Sequence, residues 1–583
     1  MGQLPPCCRP DFELPALPEQ VATLVEAASE HVAWLTLEEM AWQVGRLYTA
    51  LVGRRMRERL GIYYTPPSLA RELVDMVDEA GLRWEEAHVL DPACGGAAFL
   101  VPVCQKVFRA AAHGTARPIG GQDIACRIHG MEVDRFSGWL SGVLAHRCLE
   151  IEAGTSLPRA HPRVRLGNVL KAARPESGRY DLVITNPPYE RISVPARLRE
   201  EFRSSLYGHA NLYGMFVEAS LRLCREGGYV ALVAPVSFLG GQYFQRLRTL
   251  IEQEGMLAHI CFIEERQGIF DGVLQEICLV LLKKGGWGPT RISHYRRVEG
   301  RQIVQELTLG RRNGRPWIIP RSVQDVGLWE VVRRCSWTIA DYGYHASTGP
   351  LVWNRHRSQL RKEKGEHSYP IIWAQSVRPG GRFRFPAPRR EWQFIEVLPG
   401  QEHLVRRQPV VLVQRTTAKE QPRRLLAASL DEHFIHQWGG YVAENHVNLL
   451  LPGGRPKLSP AGLAVLLNTG LIDRIFRWIS GTVAVSASEL MELPLPDPEV
   501  LYKEGIIGLL EEIGYSVASG QTCEWEVELD SMLEMAYRLS AHAEYPATQE
   551  VLDVPLAYLR TKAAGGSPGA GAPGADIPPG KLG

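Results

Sequence analysis

The sequence is short of several features, and each shortage excludes a class of protein. Its eleven cysteines contain no Cys-x-x-Cys pair. They are scattered and odd in number, and Cys104, Cys224, Cys261 and Cys278 sit inside apolar segments. That usage predicts reduced, buried thiols rather than a disulfide framework or a zinc site, so no metal is expected. The adjacent pair Cys7-Cys8 has no evident role. No apolar run is long enough to cross a bilayer. Met1 to Pro18 is proline-rich and lacks the basic-then-apolar order of a secretory signal. A soluble, cytoplasmic protein without a membrane partner is the expectation. One-sided charge is also missing: 66 basic against 64 acidic residues leave a net charge of +2. Bulk composition therefore announces no polyanionic partner.

At 583 residues the chain is too long for one core, and two or three domains are expected. Apolar positions at helical spacing between Val21 and Leu60 predict two or three helices, an N-terminal segment over 1–60. From 61 to 285, β-branched runs alternate with amphipathic stretches, the pattern of a mostly parallel, helix-covered sheet. Seven strands are predicted: His88–Leu90, Ile128–Met131, Val164–Leu166, Tyr180–Thr185, Tyr229–Pro235, His259–Ile263 and Glu276–Lys283. The last follows its neighbour so closely that an antiparallel entry is open to it. Helices are predicted at Ser68–Val77, Phe99–Ala112, Arg135–Glu152 and Tyr213–Arg225. A separate α+β domain is expected over 286–560, with a helical close near 456–545. Ala563 to Gly583 is Gly/Pro/Ala-rich and reads as a disordered tail over 561–583.

The near-neutral total hides an asymmetry. Residues 301–430 hold 23 Lys/Arg against 10 Asp/Glu. Aromatics that read as exposed lie between the arginines: Trp353, Trp373, Phe383, Phe385 and Trp392.

The strongest local signal is Asp181-Leu-Val-Ile-Thr-Asn186-Pro187-Pro188-Tyr189. A buried strand runs into a proline-stiffened turn at its carboxyl end, the edge where open α/β sheets bind ligands. The Asn186 side-chain oxygen and the Pro187 carbonyl can both accept hydrogen bonds from a planar exocyclic amine, and Tyr189 can stack on a base. Such a site methylates an amine by orientation and electrostatic matching, without a strong general base. A second signal is Val89-Leu-Asp91-Pro92-Ala93-Cys94-Gly95-Gly96-Ala-Ala-Phe99, small residues between a strand and a helix that let a cofactor approach the backbone. Its acidic opening suits the methionine amine of S-adenosylmethionine better than a pyrophosphate. Glu132 closes the second strand, where an acid binds ribose hydroxyls. In Tyr63-Tyr64-Thr65-Pro66-Pro67, Thr65 is expected as N-cap and Pro66 as the first helical residue.

In this order the motifs resemble the gamma class of DNA amino-methyltransferases, the TaqI-like enzymes of restriction–modification systems. The resemblance covers 61–284 strongly and extends loosely to Val485-Ser-Ala-Ser-Glu-Leu-Met-Glu-Leu-Pro494. It implies a class I S-adenosylmethionine-dependent methyltransferase fold, Rossmann-like, followed by a target-recognition domain. It implies that Tyr64, Thr65, Asp91, Pro92, Ala93, Cys94, Gly95, Phe99, Glu132, Asn168 and Val169 line S-adenosyl-L-methionine. Asn186, Pro187, Pro188 and Tyr189 would hold a flipped adenine, with Phe270 of Gly268-Ile-Phe-Asp271 as the second wall of an aromatic clamp. One departure is Gly167-Asn168-Val169-Leu170, where many relatives place an acid against the cofactor's adenine ring.

The basic excess makes double-stranded DNA the expected partner. Arg389, Arg390, Arg415, Lys419, Arg423 and Arg424 are the candidate contacts, mostly to phosphates. A stacked adenine cannot reach Asn186, so the base must be extruded. Adenine N6 is the expected acceptor. Cytosine N4, RNA or protein glutamine are alternatives within enzymes, and a DNA-binding specificity protein with a silent methyltransferase domain is an alternative outside them. The short stretch ahead of Tyr63 argues against a built-in nuclease, so a separately encoded restriction endonuclease is expected.

Overall fold

The computed structural model describes residues 34–52, 64–114, 121–157, 162–173, 176–190, 192–264, 276–297, 299–416, 422–479, 484–521 and 525–541. Phe270, Lys419, the Cys7-Cys8 pair and the Gly/Pro/Ala-rich tail lie outside them. Of the helices expected before residue 60, one falls within the described residues, α1 (Leu37–Leu51). It opens on a capping box, in which Thr36 Oγ accepts from Glu39 N–H and Glu39 accepts from Thr36 N–H. The chain divides into two compact units, Met1–Trp317 and Ile318–Gly583.

The first unit is built on a nine-stranded sheet. Its strands are β1 (Val89–Asp91), β2 (Ile128–Glu132), β3 (Arg163–Leu166), β4 (Tyr180–Thr185), β5 (Cys224–Pro235), β6 (Gly255–Ile263), β7 (Ile277–Lys284), β8 (Thr290–Arg296) and β9 (Gly300–Leu307). Their spatial order is β3-β2-β1-β4-β5-β7-β6-β8-β9. The five strands from β3 to β5 are mutually parallel. β7 is antiparallel to both its neighbours, the entry its short connection left open. The helices include α2 (Pro67–Glu79), α3 (Leu100–Gly114), α4 (Arg135–Ala153), α5 (Val169–Ala172), α6 (Leu212–Leu223) and α7 (Gln245–Glu254).

Two expectations change. The sheet has nine strands rather than seven, and it runs on past residue 285 to Leu307. The reason is chemical: β8 and β9 are strands with a polar face. Arg291 pairs with Glu306 and Glu79, and Arg296 with Glu264 and Glu299. Their arginines blend into the basic stretch that follows. The connection after β9 is tied down by an ion of each sign on α7, a buried arginine and a half-buried glutamate. The Arg248 guanidinium, 1% exposed, donates to the carbonyls of Phe238, Gly241, Gly314 and Arg315. Glu252 accepts from the Arg312 and Gly314 amides and from the Trp317 indole.

The sheet order reverses between β1 and β4. From β1 the chain winds outward through β2 and β3, then returns to place β4 on the other side of β1. The carboxyl ends of these two strands are thereby brought side by side, with Leu90 in register with Val183. A crevice opens at such a switch point.

The second unit is α+β. It holds a four-stranded antiparallel sheet from Tyr344–Thr348, Val447–Pro452, Val410–Gln414 and Ala427–Leu430. It also holds a mixed five-stranded sheet that includes Ser368–Ile372 and Tyr441–Ala443, paired in parallel. Six helices between Pro460 and Ser540 complete the described part. The aromatics that read as exposed are packed here. Trp373 is 1% exposed with Trp353 edge-on to it, and Phe383 and Phe385 lie edge-on against Phe434. Alternation with arginine does not mean exposure, because the guanidinium can lie over the ring while the ring stays inside.

Candidate active site

β4 ends at Thr185, and the chain leaves the sheet through Asn186-Pro187-Pro188-Tyr189. Pro187 is buried and Asn186 half-buried. The Tyr189 hydroxyl lies 2.9 Å from Asn186 Oδ1 and 3.2 Å from the carbonyl oxygen of Val233 on β5, and donates into that pair. Asn186 Nδ2 donates to Thr65 Oγ1 at 3.1 Å. The amide is therefore held at both ends, and its oxygen keeps a second lone pair. Burial pushes the Tyr189 phenol well above its ordinary range, so it remains a donor. Tyr213, 1% exposed, stands edge-on to the Tyr189 ring with centroids 6.0 Å apart.

Across the crevice, β1 ends on Asp91, which is fully buried. Its Oδ1 accepts from the Ala93 amide at 3.1 Å. Its Oδ2 has no partner in hydrogen-bonding geometry, while the Thr185 hydroxyl near the carboxylate favours the charged form. Burial raises the Asp91 carboxyl to about 8, against the Ala93 amide, which favours the charged form. Gly95 and Ala97 both take left-handed backbone angles, φ 51° and 69°. For Gly95 this is without steric cost, whereas for Ala97 it is a strained conformation.

Glu132 is committed more fully than its motif suggests. Its Oε2 accepts from Gly95 N–H at 2.9 Å, and its Oε1 from Val133 and Asp134 N–H at 2.8 and 3.0 Å. It therefore ties the Asp91–Phe99 loop to the end of β2. Burial still raises its carboxyl above the usual range. Cys94 and Phe99 are each 2% exposed, and burial keeps the Cys94 thiol neutral. Asn168 Oδ1 accepts from Leu170 N–H at 2.9 Å as the N-cap of α5. Its exposed amide nitrogen remains as the donor. Val169, in the first turn of α5, is buried.

The Tyr64-Thr65-Pro66 segment departs from expectation. Helix α2 starts at Pro67, with Pro66 as its N-cap and no side-chain cap. Thr65 is thus one residue too early to cap it, and its hydroxyl meets Asn186 instead. Tyr64 is a wall. A β-carbon added at Gly45 of α1 or at Gly96 would meet its ring at 2.3 and 2.4 Å. Its hydroxyl lies 3.0 Å from Ser137 Oγ at the start of α4. Both contacts span segments far apart in the chain, so no local spacing could have announced them. Glycine at both ring-facing positions was the only trace.

The candidate DNA contacts, all in the second unit, separate by burial. Arg389 is exposed, at φ 60°. Arg390 lies 4.3 Å over the Trp373 ring and donates to Gln375 Oε1 at 3.1 Å. Arg415 donates to the Asn445 carbonyl at 3.0 Å. Arg423 is half-buried. Arg424 is 2% exposed and does not face solvent, which corrects its assignment as a contact. Its backbone N–H and that of Leu425 both donate to Asp473 Oδ1, which draws this turn into the interior.

Residues 151–270, from the end of α4 through β3, β4 and the Asn-Pro-Pro-Tyr turn, match the family described as Eco57I restriction-modification methylase. The Type II methyltransferase M.BsuBI of Bacillus subtilis is 26% identical over 370 residues, 61% of this chain and 71% of that protein. M.PstI of Providencia stuartii is 28% identical over 340 residues, 56% of this chain and 66% of its own length.

These matches make the chain similar to the Type II methyltransferases of restriction–modification systems.

The fold has a counterpart in the Type IIL restriction-modification enzyme MmeI, solved in complex with DNA. The TM-score is 0.55 at 12% identity, over 89% of this chain and 81% of that one. No helix among the described residues is long and apolar enough to cross a membrane.

Proposed function

We propose that the protein transfers a methyl group from S-adenosyl-L-methionine to the N6 amine of an adenine flipped out of duplex DNA. The modification step of a restriction–modification system is the setting, with the endonuclease on a separate chain. The observation that carries this reading is the doubly anchored amide of Asn186 at the switch point, facing the Asp91–Phe99 loop from the next strand.

The residues present suit the cofactor. Asp91 Oδ2 is a buried carboxylate oxygen without a hydrogen bond, an acceptor for an ammonium group. Glu132 and the Asn168 amide supply polar groups for ribose and base, and the left-handed turn at Gly95 lets a ligand approach the backbone closely. When bound, S-adenosylmethionine supplies an electrophilic methyl group on a sulfonium.

The chain's own part is positional. Asn186 Oδ1, with the Pro187 carbonyl, accepts the two N–H bonds of the adenine amine and so turns its lone pair outward. As the amine gains positive charge, both acceptors bind it more strongly, which lowers the barrier without a strong base. Tyr189 offers a face to the base, and stacking of this kind is worth about 1–3 kcal/mol. In the second unit, exposed arginines such as Arg389 and stacked ones such as Arg390 supply phosphate contacts.

The test is to express the protein in a host that lacks adenine methylation and to sequence its DNA with detection of modified bases. N6-methyladenine at one short motif is expected, and Asn186→Ala should abolish it while duplex binding survives. N4-methylcytosine would move the reading to cytosine. Unmodified DNA from cells holding folded, DNA-binding protein would leave a specificity protein with a silent domain.

A further inference from the structure

The Thr65 hydroxyl is 4% exposed and 121 residues away from its partner in sequence, yet it accepts the Asn186 amide proton at 3.1 Å. It is one end of a hydrogen-bonded chain that crosses three segments: Thr65 before α2, Asn186 and Tyr189 after β4, and Val233 on β5. An asparagine side chain rotates easily about its terminal bond, a broad torsion with little intrinsic preference. Two bonds on opposite ends of the amide remove that freedom. The Tyr189 hydroxyl fixes the oxygen end and Thr65 fixes the nitrogen end, so the plane of the amide is set before a base arrives.

Thr65 itself is rigidly placed. Pro66 and Pro67 follow it, each with a fixed φ. Tyr64 precedes it, wedged against Gly45 and Gly96 with its hydroxyl on Ser137. The family resemblance assigns this threonine to the cofactor, but its polar contact here is with the residue that would hold the target amine.

Resting on the function proposed above, we infer that Thr65 is a positioning residue that orients the Asn186 amide toward the target amine. The segment before α2 then contributes to the amine site as well as to the cofactor's wall. Preorganisation of this kind acts on the chemical step, because a misaligned amide still tolerates the base but holds its lone pair off line.

The test compares Thr65→Val and Thr65→Ser with the full-length wild type on unmodified DNA that carries the motif the protein methylates in cells. The readouts are single-turnover methylation, KM for DNA, and S-adenosylmethionine affinity by calorimetry. Valine keeps the shape and removes the acceptor, so the single-turnover rate should fall about 10- to 100-fold, the effect of leaving one buried amide donor unpaired. Cofactor affinity and KM for DNA should change less than threefold, and serine should restore most of the rate. A valine variant with weakened cofactor binding and an unchanged rate at saturation would overturn the inference in favour of a cofactor contact. A valine variant that simply loses thermal stability, unrescued by serine, would also overturn it. If the wild type transfers no methyl group, the proposed function fails on its own account, whereas an active wild type with an indifferent Thr65→Val sinks this inference alone.

Discussion

Asp91→Asn should make the apoprotein more stable while removing its cofactor affinity. The carboxyl is fully buried, with one oxygen on the Ala93 amide and the other unbonded, and burial raises it from 3.8 to about 8. Below about pH 4 it is protonated in both the folded and the unfolded chain and carries no penalty. Between about 4 and 8 the unfolded chain ionises while the folded one holds its proton, so stability falls as pH rises. The slope is about 1.4 kcal/mol per pH unit. At pH 7 the accumulated loss is about 4 kcal/mol, an upper bound because an asparagine NH₂ at the Oδ2 position starts without an acceptor. Denaturant melts of wild type and variant across pH 5–9 should diverge up to about pH 8 and run parallel above it, with the variant ahead. Calorimetry on the same samples should show S-adenosylmethionine binding only to the wild type, because the neutral amide cannot pair with an ammonium. A variant less stable than wild type at pH 7, or one that binds the cofactor as tightly, would refute the reasoning.

The other predictions concern the loop and the basic face. Gly96→Ala should cost about 1–3 kcal/mol in chemical denaturation, since its β-carbon would lie 2.4 Å from the Tyr64 ring. Ala97→Gly should instead leave stability level or raise it by up to about 1 kcal/mol, because relief of the left-handed backbone offsets the entropy of glycine. Arg424→Ala should lower stability by about 2–4 kcal/mol through loss of a buried, partnered side chain. Arg389→Ala should leave the melt unchanged and, in a salt titration of duplex binding, reduce the slope of log K by about 1. The two arginines exchanging these behaviours would overturn the assignment of which faces solvent.

The nucleus of the first unit was legible in the sequence because its information is local. Apart from the exposed edge strand β3, strands β1 to β7 are rich in buried β-branched and aliphatic residues, and each predicted run falls on an observed strand. Asn186-Pro-Pro-Tyr and Asp91-Pro-Ala-Cys mark strand ends, where turn chemistry is written in adjacent residues. β8 and β9 escaped because a strand with one polar, ion-paired face has a weaker apolar pattern than a buried one.

Tertiary structure decided the partners. Thr65 reads as a helix cap from its neighbours, and only the return of β4 beside β1 brings it to Asn186. Glu132 reads as a ribose acid; two of its amide partners are its neighbours Val133 and Asp134, and only the packing of the first loop on β2 adds the Gly95 amide. Arg423 and Arg424 are indistinguishable as letters, yet Asp473, some fifty residues on, draws the backbone of the second inward. Sequence determines which chemical groups stand at the strand ends, because that depends on neighbours in the chain. Which of those groups meet, and which face solvent, depends on contacts between distant segments and was settled by the fold.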